Sequence, residues 1–266
     1  MSWAQVHWRS DVLQKQTTMQ VLLPRVGQPP FPVFYLLHGL SDDSTVWLRQ
    51  TRLEWYVREL PLMVVLPDGY RSFYTNHEAG PAYAKHFGRE LVDHVDRHFQ
   101  TKAGRSGRAI GGLSMGGYGA LRIGLGYPDR FCSVNSHSGA LGRKNADFSP
   151  EAVAAGRHKD KSNEFVAELR RMFGEKPVGT SHDLLVLAQK AKGKGALPHI
   201  LLDCGRGDYL LDDSREYHRS LKEAGIPHEY HEHDGAHDWD YWDRQVQDAL
   251  KFHCRNLGIK RIALPK

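Results

Sequence analysis

The chain has 266 residues, of which 36 are Lys or Arg and 31 are Asp or Glu, so its formal net charge is +5. A hydrophobic content of 40% and a charged content of 25% are typical of a globular protein with a buried core. They exclude a disordered chain, a fibrous repeat and a small disulfide scaffold. No apolar run approaches the roughly 18 residues that a membrane-spanning helix needs, so no membrane partner is expected.

The distribution of charge and the cysteine content indicate whether a nucleic-acid partner is expected and which cellular compartment the protein occupies. Two short basic stretches, 102–108 and 190–194, contain glycine and predict solvated loops or helix ends rather than a nucleic-acid-binding face. The start of the chain lacks the basic-then-apolar pattern of a signal peptide. Three cysteines are too few and too scattered for a disulfide framework or a zinc knuckle. The sequence therefore predicts a cytoplasmic protein with no nucleic-acid partner.

Short apolar runs alternate along the chain with longer amphipathic stretches. The predicted strands are 19–23, 33–37, 62–66, 108–112, 131–136, 199–204 and 228–233. The predicted helices are 45–58, 82–99, 116–127, 163–173, 183–191, 214–224 and 241–255. The runs 33–37 and 62–66 are apolar at both alternating sets of positions, as in parallel strands that helices cover on both faces. We therefore predict an α/β fold with a mostly parallel central sheet and helices on both faces.

The stretch at about 141–195 interrupts this alternation. It is charged and helical in pattern, and it contains no predicted strand. We interpret it as a helical insertion between two sheet strands, within a single domain that spans 1–266. Two roles remain open from the sequence: a cap over the functional site, or a peripheral helical pair with no role in binding.

The most informative motif is Gly-x-Ser-x-Gly at 112–116, centred on Ser114 between a predicted strand and a predicted helix. A sharp strand-to-helix turn exposes the serine hydroxyl above the sheet edge, and the residues two positions before and after it must lack bulk. The first N–H groups of the following helix then point toward a developing oxyanion. We therefore predict that Ser114 is a nucleophile.

A serine hydroxyl needs a general base, normally a histidine that a carboxylate orients. In α/β-hydrolases these residues follow the chain order serine, acid, histidine, each on a loop after a strand. Asp208 lies in a glycine-containing loop after the predicted strand 199–204, and His237 follows 228–233 in a turn with Gly235. We predict Asp208 as the acid and His237 as the base. The less favoured candidates are Asp203, Asp212 and Asp213 for the acid, and His231 and His233 for the base.

Two backbone N–H groups are candidates for an oxyanion hole. The predicted strand 33–37 ends in His38-Gly39. In this arrangement the loop after that strand supplies one N–H, and the residue after the nucleophile supplies the other. The predicted donors are the main-chain N–H groups of Leu40 and Met115.

With these residues in place, the chain resembles the putative-esterase family of α/β-hydrolases, which includes esterase D, tributyrin esterases and feruloyl esterases. The resemblance runs from about residue 32 to 252 and rests on LLHG at 36–39, PDG at 67–69, SFYTN at 72–76, GLSMGG at 112–117 and GAHDWDYW at 235–242. It implies an α/β-hydrolase fold and a serine carboxylesterase that hydrolyses short-chain acyl or aryl-acyl esters through an acyl-enzyme. It also implies a small-molecule ester substrate and no metal or organic cofactor, and it leaves open whether the protein is a homo-oligomer.

Aromatic residues near these loops are predicted to line a substrate pocket: Trp47, Phe73, Tyr74 and Trp239. Three alternatives to the esterase remain. The first is a thioesterase similar to S-formylglutathione hydrolases, although those usually have histidine where this chain has Leu113. The second is a binding protein on an inactive hydrolase scaffold. The third is a metal site built from His231, His233, His237 and Asp238.

Overall fold

An eight-stranded sheet organises the computed structural model, which describes residues 1–142, 146–159 and 161–260. The strands are β1 (Ser2–Ser10), β2 (Lys15–Leu23), β3 (Val33–Leu37), β4 (Met63–Pro67), β5 (Arg108–Gly112), β6 (Ser133–His137), β7 (His199–Gly205) and β8 (Glu229–His233). They lie in the order β1-β2-β4-β3-β5-β6-β7-β8. The pairs β1–β2 and β2–β4 are antiparallel, and all other neighbouring pairs are parallel. The predicted mostly parallel sheet is confirmed.

Helices connect these strands and cover the sheet. They are α1 (Val46–Gln50), α2 (Leu53–Val57), α3 (Tyr83–Lys85), α4 (Leu91–His98), α5 (Met115–Gly126), α6 (Pro150–Ala154), α7 (Asn163–Phe173), α8 (Leu184–Gly193), α9 (Leu211–Glu223) and α10 (Trp239–Leu257). A π-helical turn, His86–Glu90, joins α3 to α4. Within the described ranges, no helix combines the length and the apolar character needed to cross a lipid bilayer.

The buried side chains of the central strands alternate between two hydrophobic cores. On β3, Val33, Tyr35 and Leu37 pack with α4, α5 and the helices that follow β6. Phe34 and Leu36, which point to the opposite face, pack with α2 and α10. Each face of the sheet has its own layer of helices. This explains why the runs 33–37 and 62–66 are apolar at both alternating sets of positions. Each fully buried aliphatic or aromatic side chain stabilises the fold by about 1.5–3 kcal/mol.

The structure differs from the sequence prediction at the amino-terminal edge of the sheet. β1 was not predicted, and β2 begins four residues before the predicted strand 19–23. β1 pairs only with β2 and forms an edge, so most of its side chains are exposed or half-buried rather than in the core. A strand of this kind lacks the continuous apolar run that identifies the central strands.

The predicted helix 45–58 is two short helices, α1 and α2. The break lies at Thr51 and Arg52. The Thr51 hydroxyl donates to the Trp47 carbonyl and accepts the N–H of Leu53. The Arg52 N–H and guanidinium both bind Asp243 on α10, at 2.8 and 2.9 Å. These hydrogen bonds replace the helical ones, and the partner of Arg52 lies far along the chain, so the local pattern did not reveal the break.

Helices α6, α7 and α8 lie between β6 and β7. They occupy the range predicted as a helical insertion, of which residues 143–145 and 160 lie outside the described residues. Helix α8 packs against α5 and buries Leu184 and Leu187 in the core on that face of the sheet. The last part of the range is thus a crossover helix that covers the sheet.

A fully buried histidine connects α10 to β6. His253 Nδ1 accepts the hydroxyl of Ser133, and its Nε2–H donates to Asn135 Oδ1, both at 2.8 Å. Burial, assisted by the nearby His137, holds the pKa of His253 well below its ordinary value. The ring is therefore neutral in the folded protein at neutral pH.

The folded state should consequently lose stability as the pH falls. Below about pH 6.5 the unfolded chain binds a proton at His253 that the folded chain does not, so the free energy of unfolding falls by about 1.4 kcal/mol per pH unit from this group. His253→Gln keeps one acceptor and one donor but does not titrate. Its urea midpoint should fall less steeply than that of the unsubstituted protein between about pH 7 and pH 5. Equal slopes would contradict the assignment, and His7→Gln, at an exposed position of the edge strand β1, is the control.

Candidate active site

Ser114 stands at a sharp turn between β5 and α5. Its backbone has φ 52° and ψ −116°, a conformation that costs energy for a residue with a side chain. The turn is possible because the flanking segments approach closely at Gly112 and Gly116. A Cβ on Gly116 would lie 2.6 Å from the carbonyl oxygens of Leu37 and His38. A side chain at either glycine would therefore push the turn away from the sheet.

A continuous hydrogen-bonded chain joins Ser114, His237 and Asp208. His237 Nε2 lies 3.0 Å from Ser114 Oγ. On the other side of the ring, His237 Nδ1 lies 2.9 Å from Asp208 Oδ2 and 3.1 Å from Oδ1. The carboxylate can only accept, so Nδ1 carries the proton and Nε2 is free to accept from the serine hydroxyl. This is the geometry in which a histidine can remove the serine proton.

The Asp208 carboxylate is fully buried, while the His237 side chain is 14% exposed. Burial by itself opposes ionisation of Asp208. Hydrogen bonds from His237, the Leu210 N–H and Ser138 outweigh it, so the pKa of Asp208 lies below its usual value. Asp208 is thus an ionised, buried acceptor that holds the orientation of the His237 ring and would stabilise an imidazolium.

The three side chains meet because the strands that precede them are parallel. Ser114 follows β5, Asp208 follows β7 and His237 follows β8, and all three strands end at the same edge of the sheet.

The less favoured candidates for the acid and the base take no part in this hydrogen-bonded chain. Asp203 binds the buried His137 at 2.7 Å, and its second carboxylate oxygen accepts the hydroxyl of Tyr241. Asp212 is exposed at the start of α9, and Asp213 lies on the wall of the cavity described below. His231 and His233 lie on β8.

Leu40 and Met115, the predicted N–H donors, both border the cavity that contains Ser114. Within the described residues, neither N–H donates to another group of the chain. The loop that carries Leu40 is held by the buried His38. The N–H of Gly69 donates to His38 Nε2, so the proton lies on Nδ1, which donates to the Gly39 carbonyl, both at 2.8 Å. Both residues of the cavity wall thus carry a main-chain N–H that has no acceptor among the described residues.

An open cavity of about 610 Å³ lies over Ser114. The segment between β6 and β7 contributes part of its wall: Phe148, Arg157, His158, Lys161 and Phe165. The same segment is tied to the loop after Leu40, because Arg71 donates both to Ser41 Oγ and to the Glu168 carboxylate on α7. The helical segment therefore borders the space above the nucleophile candidate.

The four aromatic residues predicted to line a pocket have different positions. Phe73 lines the cavity. Trp47 and Tyr74 are buried in the core, where Trp47 donates to the Leu37 carbonyl and Tyr74 donates to the His38 carbonyl. Trp239 packs edge-to-face against Trp47 behind the His237 loop. Trp47, Tyr74 and Trp239 are therefore not part of the cavity wall. Instead, they pack against the segments that surround the site.

Several contributors to the site were not identified from the sequence. Ser138 accepts a hydrogen bond from Trp242 and binds Asp208. Tyr209, on the loop that carries Asp208, lies on the cavity wall with its ring 4.6 Å from that of His237. The position of Tyr209 next to the predicted acid was the one sequence signal available. Ser138 had no such signal, since it is distant from Asp208 in the chain.

The alternative metal site does not form among the residues that the structure describes. No three His, Cys, Asp or Glu side chains in those ranges are placed to hold one ion. Asp238 instead accepts the N–H of Tyr241 and caps the start of α10. His237 is engaged with Ser114 and Asp208.

This chain is similar in sequence to known esterases along most of its length. The model of the putative esterase family matches residues 10–253. An acetyl esterase of Caldicellulosiruptor saccharolyticus is 33% identical over 268 residues, covering 95% of this chain and 98% of the relative. An esterase of Mycobacterium tuberculosis is 30% identical over 82% of this chain, which spans 52% of that longer protein.

Two solved structures from Staphylococcus aureus are also similar. Fluorophosphonate-binding serine hydrolase F, with substrate bound, has a TM-score of 0.81 at 27% identity, covering 95% of this chain and 98% of that chain. An S-formylglutathione hydrolase has a TM-score of 0.77 at 27% identity with the same coverage. With the mostly parallel sheet described above, these similarities confirm the predicted α/β-hydrolase fold.

Proposed function

We propose that this chain, which belongs to the putative esterase family, is a serine carboxylesterase that hydrolyses short-chain acyl or aryl-acyl esters of small molecules. The observation that carries the proposal is the hydrogen-bonded chain from Ser114 through His237 to Asp208 beneath an open cavity. The acetyl esterase that is 33% identical along nearly the whole chain supports a small acyl group.

In the proposed reaction the Ser114 oxygen attacks the ester carbonyl carbon while His237 Nε2 takes the hydroxyl proton. The bond to the alcohol oxygen then breaks, and the imidazolium returns that proton to the departing alcohol. Water next attacks the acyl-Ser114 carbonyl, again giving its proton to His237. Release of the carboxylic acid restores the serine hydroxyl. Asp208 stays ionised throughout and stabilises the imidazolium.

The negative oxygen of each tetrahedral intermediate would accept hydrogen bonds from the N–H groups of Leu40 and Met115. Each donor of this kind contributes about 3–4 kcal/mol to transition-state stabilisation. Both donors belong to the main chain. Two observations support this role: both residues border the cavity, and neither N–H has another acceptor within the described residues.

The segment between β6 and β7 is proposed to form a partial cap. Its side chains make up part of the wall of the cavity that contains Ser114, and Arg71 ties α7 to the loop that carries Leu40. We further propose a single domain over 1–266 in a reducing, cytoplasmic compartment. The free, buried thiols of Cys132, Cys204 and Cys254 support that compartment.

A thioesterase that acts on S-formylglutathione is the second candidate. The Staphylococcus aureus hydrolase of that name, with a TM-score of 0.77, favours it. Leu113, which precedes the nucleophile candidate, weighs against it. Oxygen esters and thioesters share the same acyl-enzyme chemistry, so leaving-group preference distinguishes the two candidates.

A substrate panel tests the proposed function. We expect ethyl acetate, p-nitrophenyl acetate and p-nitrophenyl butyrate to be hydrolysed with higher kcat/KM than S-formylglutathione and S-acetylglutathione. A fluorophosphonate probe should label one serine stoichiometrically and abolish the activity. Preference for the thioesters by more than about tenfold would support the second candidate. Failure to turn over any of the five compounds, with no labelling, would contradict both.

A further inference from the structure

Tyr209 is an exposed aromatic side chain on the wall of the cavity. In the described ranges, four large apolar or aromatic side chains are exposed, and of these Tyr209 alone lines the cavity over Ser114. Its residue is 76% exposed, and its ring centroid lies 4.6 Å from that of His237 with the planes inclined by 47°. An apolar ring at a cavity mouth is available for contact with a ligand.

The backbone of Tyr209 is held by the loop that positions Asp208. The Asp208 N–H donates to the Gly205 carbonyl, and the Asp208 carboxylate accepts the N–H of Leu210 at 2.8 Å. The Leu211 N–H donates to the Asp208 carbonyl where α9 begins. Tyr209 therefore stands on a preorganised turn, so a ligand that contacts its ring would not have to order the loop.

The chemistry of the proposed function determines which half of an ester meets this ring. His237 must return a proton to the alcohol oxygen, so the alcohol half lies against the imidazole when the bond breaks. Tyr209 is the exposed ring beside that imidazole. Partial burial and the negative charge of Asp208 raise the pKa of the Tyr209 hydroxyl, so the ring is uncharged at neutral pH. The alcohol half thus meets a neutral aromatic face.

We propose, on the basis of the proposed esterase function, that Tyr209 determines leaving-group specificity by stacking on an alcohol half that presents a flat apolar face. An aromatic ring and the apolar face of a sugar ring both have this chemistry. Such a contact acts while the alcohol is attached and ends when it departs. It therefore affects formation of the acyl-enzyme and not its hydrolysis.

Matched acetates test the proposal. Ethyl and benzyl acetate have alcohols of similar acidity, and isobutyl acetate adds branched apolar bulk without a ring face. Methyl 6-O-acetyl-glucopyranoside supplies the sugar. Tyr209→Ala and Tyr209→Leu should lower kcat/KM for benzyl acetate, the acetylated sugar or both by about 3- to 10-fold. The values for ethyl and isobutyl acetate should change less than about 2-fold, and Tyr209→Phe should resemble the unsubstituted protein.

A kinetic control separates binding from support of His237. The acetyl-enzyme is common to all acetates, so its hydrolysis rate, measured after the p-nitrophenyl acetate burst, should be unchanged in all three variants. A loss confined to benzyl acetate assigns an aryl leaving group, and one confined to the sugar assigns a carbohydrate. Equal losses on all acetates, slower acetyl-enzyme hydrolysis, or no loss on either ring substrate would overturn the proposal. If the unsubstituted protein neither hydrolyses any acetate nor reacts with a fluorophosphonate, the proposed function itself has failed.

Discussion

Ser114→Ala is expected to lower kcat for p-nitrophenyl acetate by about a million-fold. The substitution removes the oxygen that lies 3.0 Å from His237 Nε2, and no acyl-enzyme can form without it. The fold should persist, because α5 and its close contacts at Gly112 and Gly116 do not depend on the hydroxyl. Steady-state assays measure the effect, with the active fraction of the unsubstituted protein determined from its p-nitrophenyl acetate burst. Labelling by a fluorophosphonate should disappear with the activity.

Ser136→Ala is the matched control for that experiment. Ser136 lies on the neighbouring strand β6, is buried, and has a hydroxyl without a hydrogen-bond partner among the described residues. Its removal should leave kcat within about threefold of the original value, because no group near the reaction depends on it. An active, phosphonate-reactive Ser114→Ala protein would mean that another serine is the nucleophile.

Asp208→Asn is expected to lower kcat by about 10⁴-fold while KM changes little. The amide has nearly the same shape but offers an N–H₂ group as well as an oxygen to His237. If the N–H₂ group faces Nδ1, the ring must carry its proton on Nε2, where it can no longer accept from Ser114. The amide is also uncharged, so the negative charge that would stabilise the imidazolium is lost. Measurement of kcat and KM with p-nitrophenyl acetate tests both effects.

Asp212→Asn provides the comparison for Asp208. Asp212 lies in the first turn of α9 with its carboxylate almost fully exposed, at 3.8 Å from Arg215. An exposed ion pair of this kind contributes little, so its loss should leave kcat within about twofold. If the Asp208→Asn variant also kept kcat within about twofold of the unsubstituted protein, Asp208 would be excluded as the orienting acid. Asp203 would then become the next candidate.

The central strands were predictable because burial on both faces leaves a continuous apolar signal. The predicted bounds 33–37 and 108–112 coincide with β3 and β5. Phe87, Leu91 and Val95, which fall at helical spacing within the predicted helix 82–99, are buried. The π-helical turn at the start of that helix was not predicted. Within this turn, the missing Cβ of Gly88 leaves room for the ring of Tyr127, a residue distant in the sequence.

The sequence predicted which polar residues come together in the site, but not which aromatic side chains line the cavity. Loops after parallel strands meet at one sheet edge, so chain order alone suggested that Ser114, Asp208 and His237 would come together. Nothing local distinguished the exposed Tyr209 from the buried Trp47 and Tyr74, since all three are aromatic residues in segments that follow a strand. Their roles differ because of neighbours that are distant in the sequence.

The sequence by itself determined the α/β alternation, the strained serine turn and the order of the three polar residues, because these depend on local spacing and on backbone sterics. The tertiary structure decided the edge strand β1, the break of the helix at Arg52 and the make-up of the cavity wall. Each of these depends on hydrogen bonds or burial between distant segments, such as Arg52 with Asp243 and the β6–β7 segment with Ser114. The free energy of such contacts exists only once the chain has folded and brought both partners together.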